Sequence, residues 1–209
     1  SNGYLPLGRS SDGALTLLRN ETPVPFPGRP WSVAVDTGVV VRFAASGAPI
    51  DSIGPLAVAE LLGMPVPQAG GGTVTIPIAR PLGRKAAFVV RGDTVSVAAG
   101  ATPAIDQYVN GRMVRSIRLP GDLTVVPESL IAEFKRRRRS IVAGAGLIDS
   151  VFDASLDSIP FSDYLPATGR LLGDARGDLW AQVAGLADLA PGDASLQWNV
   201  LAPDGSWLG

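Results

Sequence analysis

The 209-residue chain contains no cysteine and no histidine. The absence of cysteine excludes disulfides, thiolate catalysis and cysteine-ligated zinc, and it leaves the redox compartment open. The absence of histidine excludes a Ser-His-Asp triad, histidine-based zinc chemistry and the usual imidazole proton shuttle. We therefore identify no catalytic residue, no metal ligand and no cofactor, and the balance favours a protein that is not an enzyme.

Strong charge and long hydrophobic runs are also missing. The formal net charge is −1, so no general field attracts nucleic acid or an anionic membrane surface. No apolar run approaches the roughly 20 residues that span a bilayer. Apolar residues make up 46% of the chain, and 25 glycines and 18 prolines suit many short strands joined by tight turns. The expected partners are an unidentified protein or small molecule, with no nucleic acid and no membrane span.

A short motif recurs along the chain, in which a proline stands shortly before a Gly-Arg pair. The copies read Pro6-Leu7-Gly8-Arg9, Pro27-Gly28-Arg29, Pro81-Leu82-Gly83-Arg84 and Pro166-Ala167-Thr168-Gly169-Arg170. Three copies lead into the same order of features: an apolar stretch, a Gly/Asp turn, a second apolar stretch, a loop, and two strands joined by another tight turn. Repetition of a four-strand unit predicts a β-propeller.

The clearest unit lies between about residues 76 and 120. Apolar stretches flank Arg91-Gly92-Asp93, and alternating runs flank Asn110-Gly111. Asn-Gly between such runs is a strong hairpin signal, because both residues tolerate positive φ. We predict a single all-β domain over residues 1–209, a partial propeller with about three four-stranded antiparallel blades. The blades are predicted at about 4–55, 76–120 and 164–209.

Two segments interrupt the β pattern, and each predicts an inserted helix. Residues 55–63 contain closely spaced apolar side chains and predict a helix of about two turns. Residues 127–143 give a stronger signal, because Pro127 suits the first helical position and Glu128 suits the first turn.

The second predicted helix carries the only cluster of charge, Lys135 followed by four arginines at 136–139. Such a cluster can contact phosphate or an acidic partner. The simpler interpretation is a solvated helix stabilised by a Glu133 pair with Arg137. Successive side chains point about 100° apart on a helix, so the arginines cannot form one flat patch. This favours the simpler interpretation.

The repeated units resemble the blades of six-bladed β-propellers of the NHL/TolB-like type, and most closely a group of uncharacterised bacterial propeller proteins. The matching segments are Pro81-Leu82-Gly83-Arg84, Gly92-Asp93-Thr94-Val95-Ser96-Val97, the hairpin 104–118 and Gly177-Asp178-Leu179-Trp180. The resemblance covers most of the chain outside the inserts, although this chain supplies about three blades and not six. It implies an all-β propeller and slightly favours a periplasmic or secreted location.

Alternate turns of an antiparallel meander lie at opposite ends of the strands. The short turns fall at one end, and most of the longer segments fall at the other, where binding usually resides. We therefore predict a non-catalytic binding module. Arg29, Trp31 and Arg84 are its predicted ligand-binding residues, because arginine and tryptophan are common binding anchors. The alternative is a hydrolase or lyase with a carboxylate-bound metal in a central channel, which rests on fold analogy alone.

Three blades leave two open sheet faces, and exposed apolar faces mark interfaces. We predict that the chain associates. Either two copies close a six-bladed ring about a two-fold axis, or the chain docks onto the rest of a larger parent protein. A third arrangement has the helix at 127–143 folded over one open face, which would permit a monomer.

Overall fold

The computed structural model describes residues 3–10, 12–20, 30–68, 70–141, 154–184 and 196–209. In this part of the chain, most residues with regular structure lie in three antiparallel sheets, and one long helix accompanies them. The prediction of an all-β fold is confirmed at this level.

Sheet 1 is a five-stranded meander that curls into a half-barrel. Its strands are β1 (Tyr4–Arg9), β2 (Leu15–Asn20), β3 (Val33–Phe43), β4 (Pro49–Pro67) and β5 (Thr73–Ala79). Each strand pairs with the next one along the chain. The sheet therefore extends well past residue 55, where the first blade was predicted to end.

The predicted helix at 55–63 is wrong, because these residues lie in the middle of the 19-residue strand β4. Apolar side chains stand at alternate positions here: Leu56, Val58, Leu62, Met64 and Val66. That spacing has the period of two that a strand requires. Short apolar runs are ambiguous between helix and strand, and here the pairing with β3 and β5 decides the outcome.

Sheet 2 has the four strands that were predicted for each unit, whereas sheet 1 has five and sheet 3 has three among the described residues. Sheet 2 consists of β6 (Ala87–Arg91), β7 (Thr94–Ala98), β8 (Ala104–Val109) and β9 (Arg112–Arg118). Sheet 3 consists of β10 (Leu171–Gly173), β11 (Leu179–Gln182) and β12 (Trp198–Leu201). Asn110 and Gly111 both have positive φ, as the predicted hairpin requires.

Sheet 2 is packed on both faces. On one face, Val95 and Val97 join a buried cluster with Leu18, Val40 and Ile53 of sheet 1. On the other face, a second buried cluster joins sheet 2 to sheet 3; its members are Ala98, Ile105, Ile117, Leu119, Leu171, Leu179, Ala181 and Leu201. The three sheets are therefore stacked face to face in chain order.

The first strands of the three sheets lie side by side, with β6 between β1 and β10. Gly8 in β1 allows a close approach, because a Cβ there would stand 2.8 Å from the Cβ of Val90. A Cβ on Gly173 in β10 would stand 3.1 Å from Cγ1 of Val89. Neighbouring residues of β6 point to opposite faces, so Val90 meets sheet 1 and Val89 meets sheet 3.

Two arginines join the sheets outside the apolar clusters. The buried Arg42 of β3 donates to Asp93 at 2.6 Å and to Asn110 at 3.0 Å, so it holds both tight turns of sheet 2. It also pairs with Asp51 of β4 at 2.8 Å. Arg115 of β9 donates to the backbone carbonyls of Pro203 and Asp204, which follow β12. These hydrogen bonds fix the position of each sheet relative to the next one in the stack.

The helix α1 (Glu128–Ile141) confirms the prediction for 127–143. Residues 121–141 and 154–166, which we call the insert, connect sheet 2 to sheet 3. The two ends of the insert pair with each other, because Val126 donates to Asp163 and Leu165 donates to Thr124. The segments that connect the insert to sheets 2 and 3 therefore lie next to each other.

Candidate functional site

Sheet 1 carries an extension that we call the β-arm. It comprises residues 33–36 of β3, residues 57–67 of β4 and the whole of β5. Pairing between β2 and β3 begins only at Gly38, so the arm continues past the end of β2. Pro65 and Pro67 fall where β4 pairs with β5 and no longer with β3, and prolines are tolerated at such an edge.

The insert packs against the β-arm through an apolar cluster. Leu62 of β4 is fully buried against Leu156 and Ile159, and Phe134 of α1 packs on the same cluster. Phe134 also meets Phe161 edge to face, with ring centroids 5.6 Å apart. The arm and the insert thus form one packed unit at the end of the strands opposite the short turns.

Trp31 and Arg84, two of the predicted binding residues, both lie beside β4 of the arm. Trp31 packs half-buried on the Leu62 cluster, and its backbone N–H donates to Gly63 at 2.8 Å. Arg84 pairs with Glu60 at 3.2 Å and keeps 45% of its side chain exposed. Arg29 lies outside the described residues, and the binding role of all three remains a prediction.

Glu60 is the centre of a polar network that we call the Glu60 network, formed with Arg80 and Arg84. Its buried carboxylate accepts a hydrogen bond from Arg80 at 3.1 Å and forms an ion pair with Arg84 at 3.2 Å. Arg80 also donates to the backbone carbonyls of Pro160 at 3.0 Å and Phe161 at 2.6 Å. Arg80 therefore ties the insert to the arm, whereas Arg84 reaches the surface.

Arg84 belongs to one copy of the recurring Gly-Arg motif, and it pairs with a carboxylate of sheet 1. Glu60 stands out in the sequence as the one charged residue among the alternating apolar positions of β4. That signal was available, but the segment had been interpreted as a helix.

Four of the five basic residues of α1, Lys135, Arg136, Arg137 and Arg139, are paired with acidic side chains of the insert itself. Glu133 accepts from Arg136 at 2.6 and 2.7 Å and also from Arg137, which confirms the predicted i,i+4 pair. Asp157 pairs with Lys135 at 2.8 Å and with Arg139 at 3.2 Å. These contacts favour the interpretation of a solvated, internally paired helix.

An open groove of about 460 Å³ lies at the rim between sheets 2 and 3. It is lined by Arg118, Leu119, Pro120, Gly121, Asp122 and Trp207. Trp207 is 63% exposed and pairs with Leu201 beside β12. Sequence reasoning missed this groove, because residues almost 90 positions apart in the chain meet there only through the stacking of the sheets.

Comparisons with protein-family models, curated proteins and solved structures give no significant match. The NHL/TolB-like resemblance therefore remains a prediction. Among the described residues, no group of three or more acidic side chains lies close enough to hold a metal ion, so the alternative of a metal-dependent enzyme gains no site there. No helix in the same part of the chain is long and apolar enough to cross a membrane.

Replacing Arg80 and Arg84 separately tests the Glu60 network. Arg80→Gln removes the bonds to two insert carbonyls and to a buried carboxylate, and we expect it to lower the free energy of unfolding by roughly 2 kcal/mol. Arg84→Gln breaks a pair on a half-exposed side chain and should cost about 0–1 kcal/mol. Urea denaturation measures both, and limited proteolysis should cleave the insert faster only in Arg80→Gln. Equal effects of the two changes would contradict this assignment.

The Glu133 carboxyl should titrate at unusually low pH. Hydrogen bonds from Arg136 and then Arg137 lower the pKa of Glu133 from its ordinary 4.5 to about 2. Because the folded-state pKa is depressed, the stabilisation is present above about pH 4.5 and is lost as the pH falls through about 2. An NMR titration of the Glu133 carboxyl carbon measures this midpoint. Arg136→Gln with Arg137→Gln should raise it, and a midpoint near 4.5 in the unaltered chain would refute the pairing in solution.

Proposed function

We propose that the chain is a non-catalytic interaction module that binds a protein partner through the β-arm. In this proposal the three stacked sheets act as three consecutive blades of a β-propeller. The propeller proposal is supported by the convergence of the first strands β1, β6 and β10 and by the face-to-face stacking of the sheets. The stack then serves as a rigid base for the arm and the insert.

The observation that carries the binding proposal is the exposed surface of the arm next to the Glu60 network. Val33 and Val35 of β3 are 45% and 46% exposed. They stand directly opposite Leu62 and Glu60 of β4, so they lie on the same face as the network. Arg84 adds a half-exposed guanidinium beside Glu60. Apolar side chains next to an arginine suit a protein interface.

Rigidity strengthens the proposal. Arg80 anchors the insert to the arm, and the Leu62 cluster fills the space between them. A surface that is already ordered loses little conformational entropy on binding. The proposed partner presents apolar side chains to Val33 and Val35 and a carboxylate to Arg84, which requires no catalytic group on this chain.

Site-specific photo-crosslinking tests the proposal. Benzoylphenylalanine at position 35 should give a defined protein adduct in the native cells. The same label at position 114, a 60% exposed valine on β9 of sheet 2, is the matched control and should give no such adduct. Arg84→Ala should reduce the adduct at position 35 by at least about fivefold, because truncating an anchor costs more than 1 kcal/mol.

Two outcomes would contradict the proposal. One is the same adduct at positions 35 and 114, which would indicate non-specific labelling. The other is an adduct at position 35 that persists at full yield in Arg84→Ala. In that case the Glu60 network takes no part in binding.

A further inference from the structure

We infer that the groove between sheets 2 and 3 binds a carbohydrate, with one pyranose ring lying on the indole face of Trp207. The groove has a volume of about 460 Å³, and none of its lining residues belongs to the β-arm or to the Glu60 network. The inference therefore stands independently of the proposal that the arm binds a protein.

Both sheets contribute to the groove. On the side of sheet 3, Trp207 stands opposite Leu201 in an antiparallel bridge. Leu201 belongs to the buried cluster on sheet 2, and residues that stand directly opposite each other share a face. Trp207 is therefore on the face of sheet 3 that is turned toward sheet 2. On the side of sheet 2, the end of β9 and the segment after it line the groove from Arg118 to Asp122.

The apolar part of the groove suits a ligand with one flat face. Trp207 is 63% exposed, although it is on the face turned toward sheet 2. Leu119 is buried in the cluster between the sheets, and Pro120 lies next to it. The face of an indole ring is electron-rich and attracts groups that carry partial positive charge. The C–H groups on one side of a pyranose ring are such groups, so a sugar can lie flat on Trp207.

Three polar groups at the groove have no partner within the described part of the chain. They are the guanidinium of Arg118, the carboxylate of Asp122 and the indole N–H of Trp207. The guanidinium and the indole N–H only donate hydrogen bonds, whereas the carboxylate only accepts them. A ligand that fits the groove must therefore supply both acceptors and donors around its apolar face.

This combination favours a neutral sugar over other small ligands. A sugar hydroxyl both donates and accepts, so neighbouring hydroxyls can satisfy Asp122 and Arg118 together. A purely apolar ligand would remove these charged groups from water without giving them partners, which is costly. Phosphate would attract Arg118, but Asp122 in the same groove would repel it. Ligand sites usually measure about 300–1,000 Å³, so the groove has room for a mono- or disaccharide.

NMR spectroscopy of the tryptophan indole N–H signals tests the inference. The chain contains four tryptophans, so the other three serve as internal controls. The probes are the methyl glycosides of glucose, galactose and mannose, and N-acetylglucosamine. Each is added up to tens of millimolar, because an open groove binds a small ligand weakly. At least one probe should shift the Trp207 signal saturably and leave the signal of Trp180 unchanged.

Matched variants assign the binding to the groove. Trp207→Ala should weaken it at least about tenfold, because the stacking surface is lost. Asp122→Ala should also weaken it by roughly tenfold, because hydrogen bonds to charged groups are the stronger ones. Trp180→Ala removes a 37% exposed tryptophan that does not line the groove, and it should leave binding unchanged. Trp207 and Asp122 are exposed, so thermal unfolding should confirm that their variants remain folded.

Three outcomes would overturn the inference. The first is that none of the four sugars shifts the Trp207 signal. The second is that inorganic phosphate shifts this signal while the sugars do not, which would identify an anion site. The third is sugar binding of unchanged strength in Trp207→Ala, which would place the site elsewhere on the chain.

Discussion

The packing of sheet 2 on both faces is the constraint on which the rest of the structure depends. Side chains alternate along a strand, so β6 can send Val90 toward sheet 1 and Val89 toward sheet 3. Glycine at positions 8 and 173 then lets the neighbouring first strands come close. Arg42 and Arg115 fix the same stacking with polar bonds to the turns of the next sheet. The buried apolar clusters and the hydrogen bonds between sheets therefore specify the same arrangement of the three sheets.

The stack also explains why the arm and the insert can form a distinct surface. The fully buried residues between the sheets lie outside the arm and the insert, and Val58 of the arm packs against them at the edge. Beyond that point β4 continues past β2 and carries its own apolar cluster around Leu62. Glu60 is buried there with two arginines, and a buried charge is tolerated only when it is paired. Arg80 uses its remaining donors on the insert, which couples the electrostatics of the arm to the position of α1.

The sequence predicted the parts of the fold that local signals encode. Asn110 and Gly111 predicted the tight turn between β8 and β9, where both residues have positive φ. Pro127 and Glu128 predicted the start of α1. The strand at 55–63 was missed because pairing with β3 and β5 decides it. The hydrogen bond from Arg42 of sheet 1 to Asp93 of sheet 2 joins residues that are 51 positions apart in the chain. A local sequence pattern cannot predict a contact over that separation. Of the candidate site, Trp31 and Arg84 were singled out by residue type. Glu60 is visible in the sequence only once residues 55–63 are recognised as a strand, and the bonds of Arg80 to the insert are seen only in the three-dimensional structure.

An engineered disulfide tests the central claim, that β6 is sandwiched between β1 and β10. The chain contains no cysteine, so any disulfide that forms must join the two introduced cysteines. A Cβ at position 173 lies near the Val89 side chain, and one at position 8 lies near Val90, within reach of a disulfide after small shifts. The account predicts that the cysteine pairs 173/89 and 8/90 oxidise within one chain, while the crossed pairs 173/90 and 8/89 stay reduced. Equal oxidation of the matched and crossed pairs, or none in either, would contradict it.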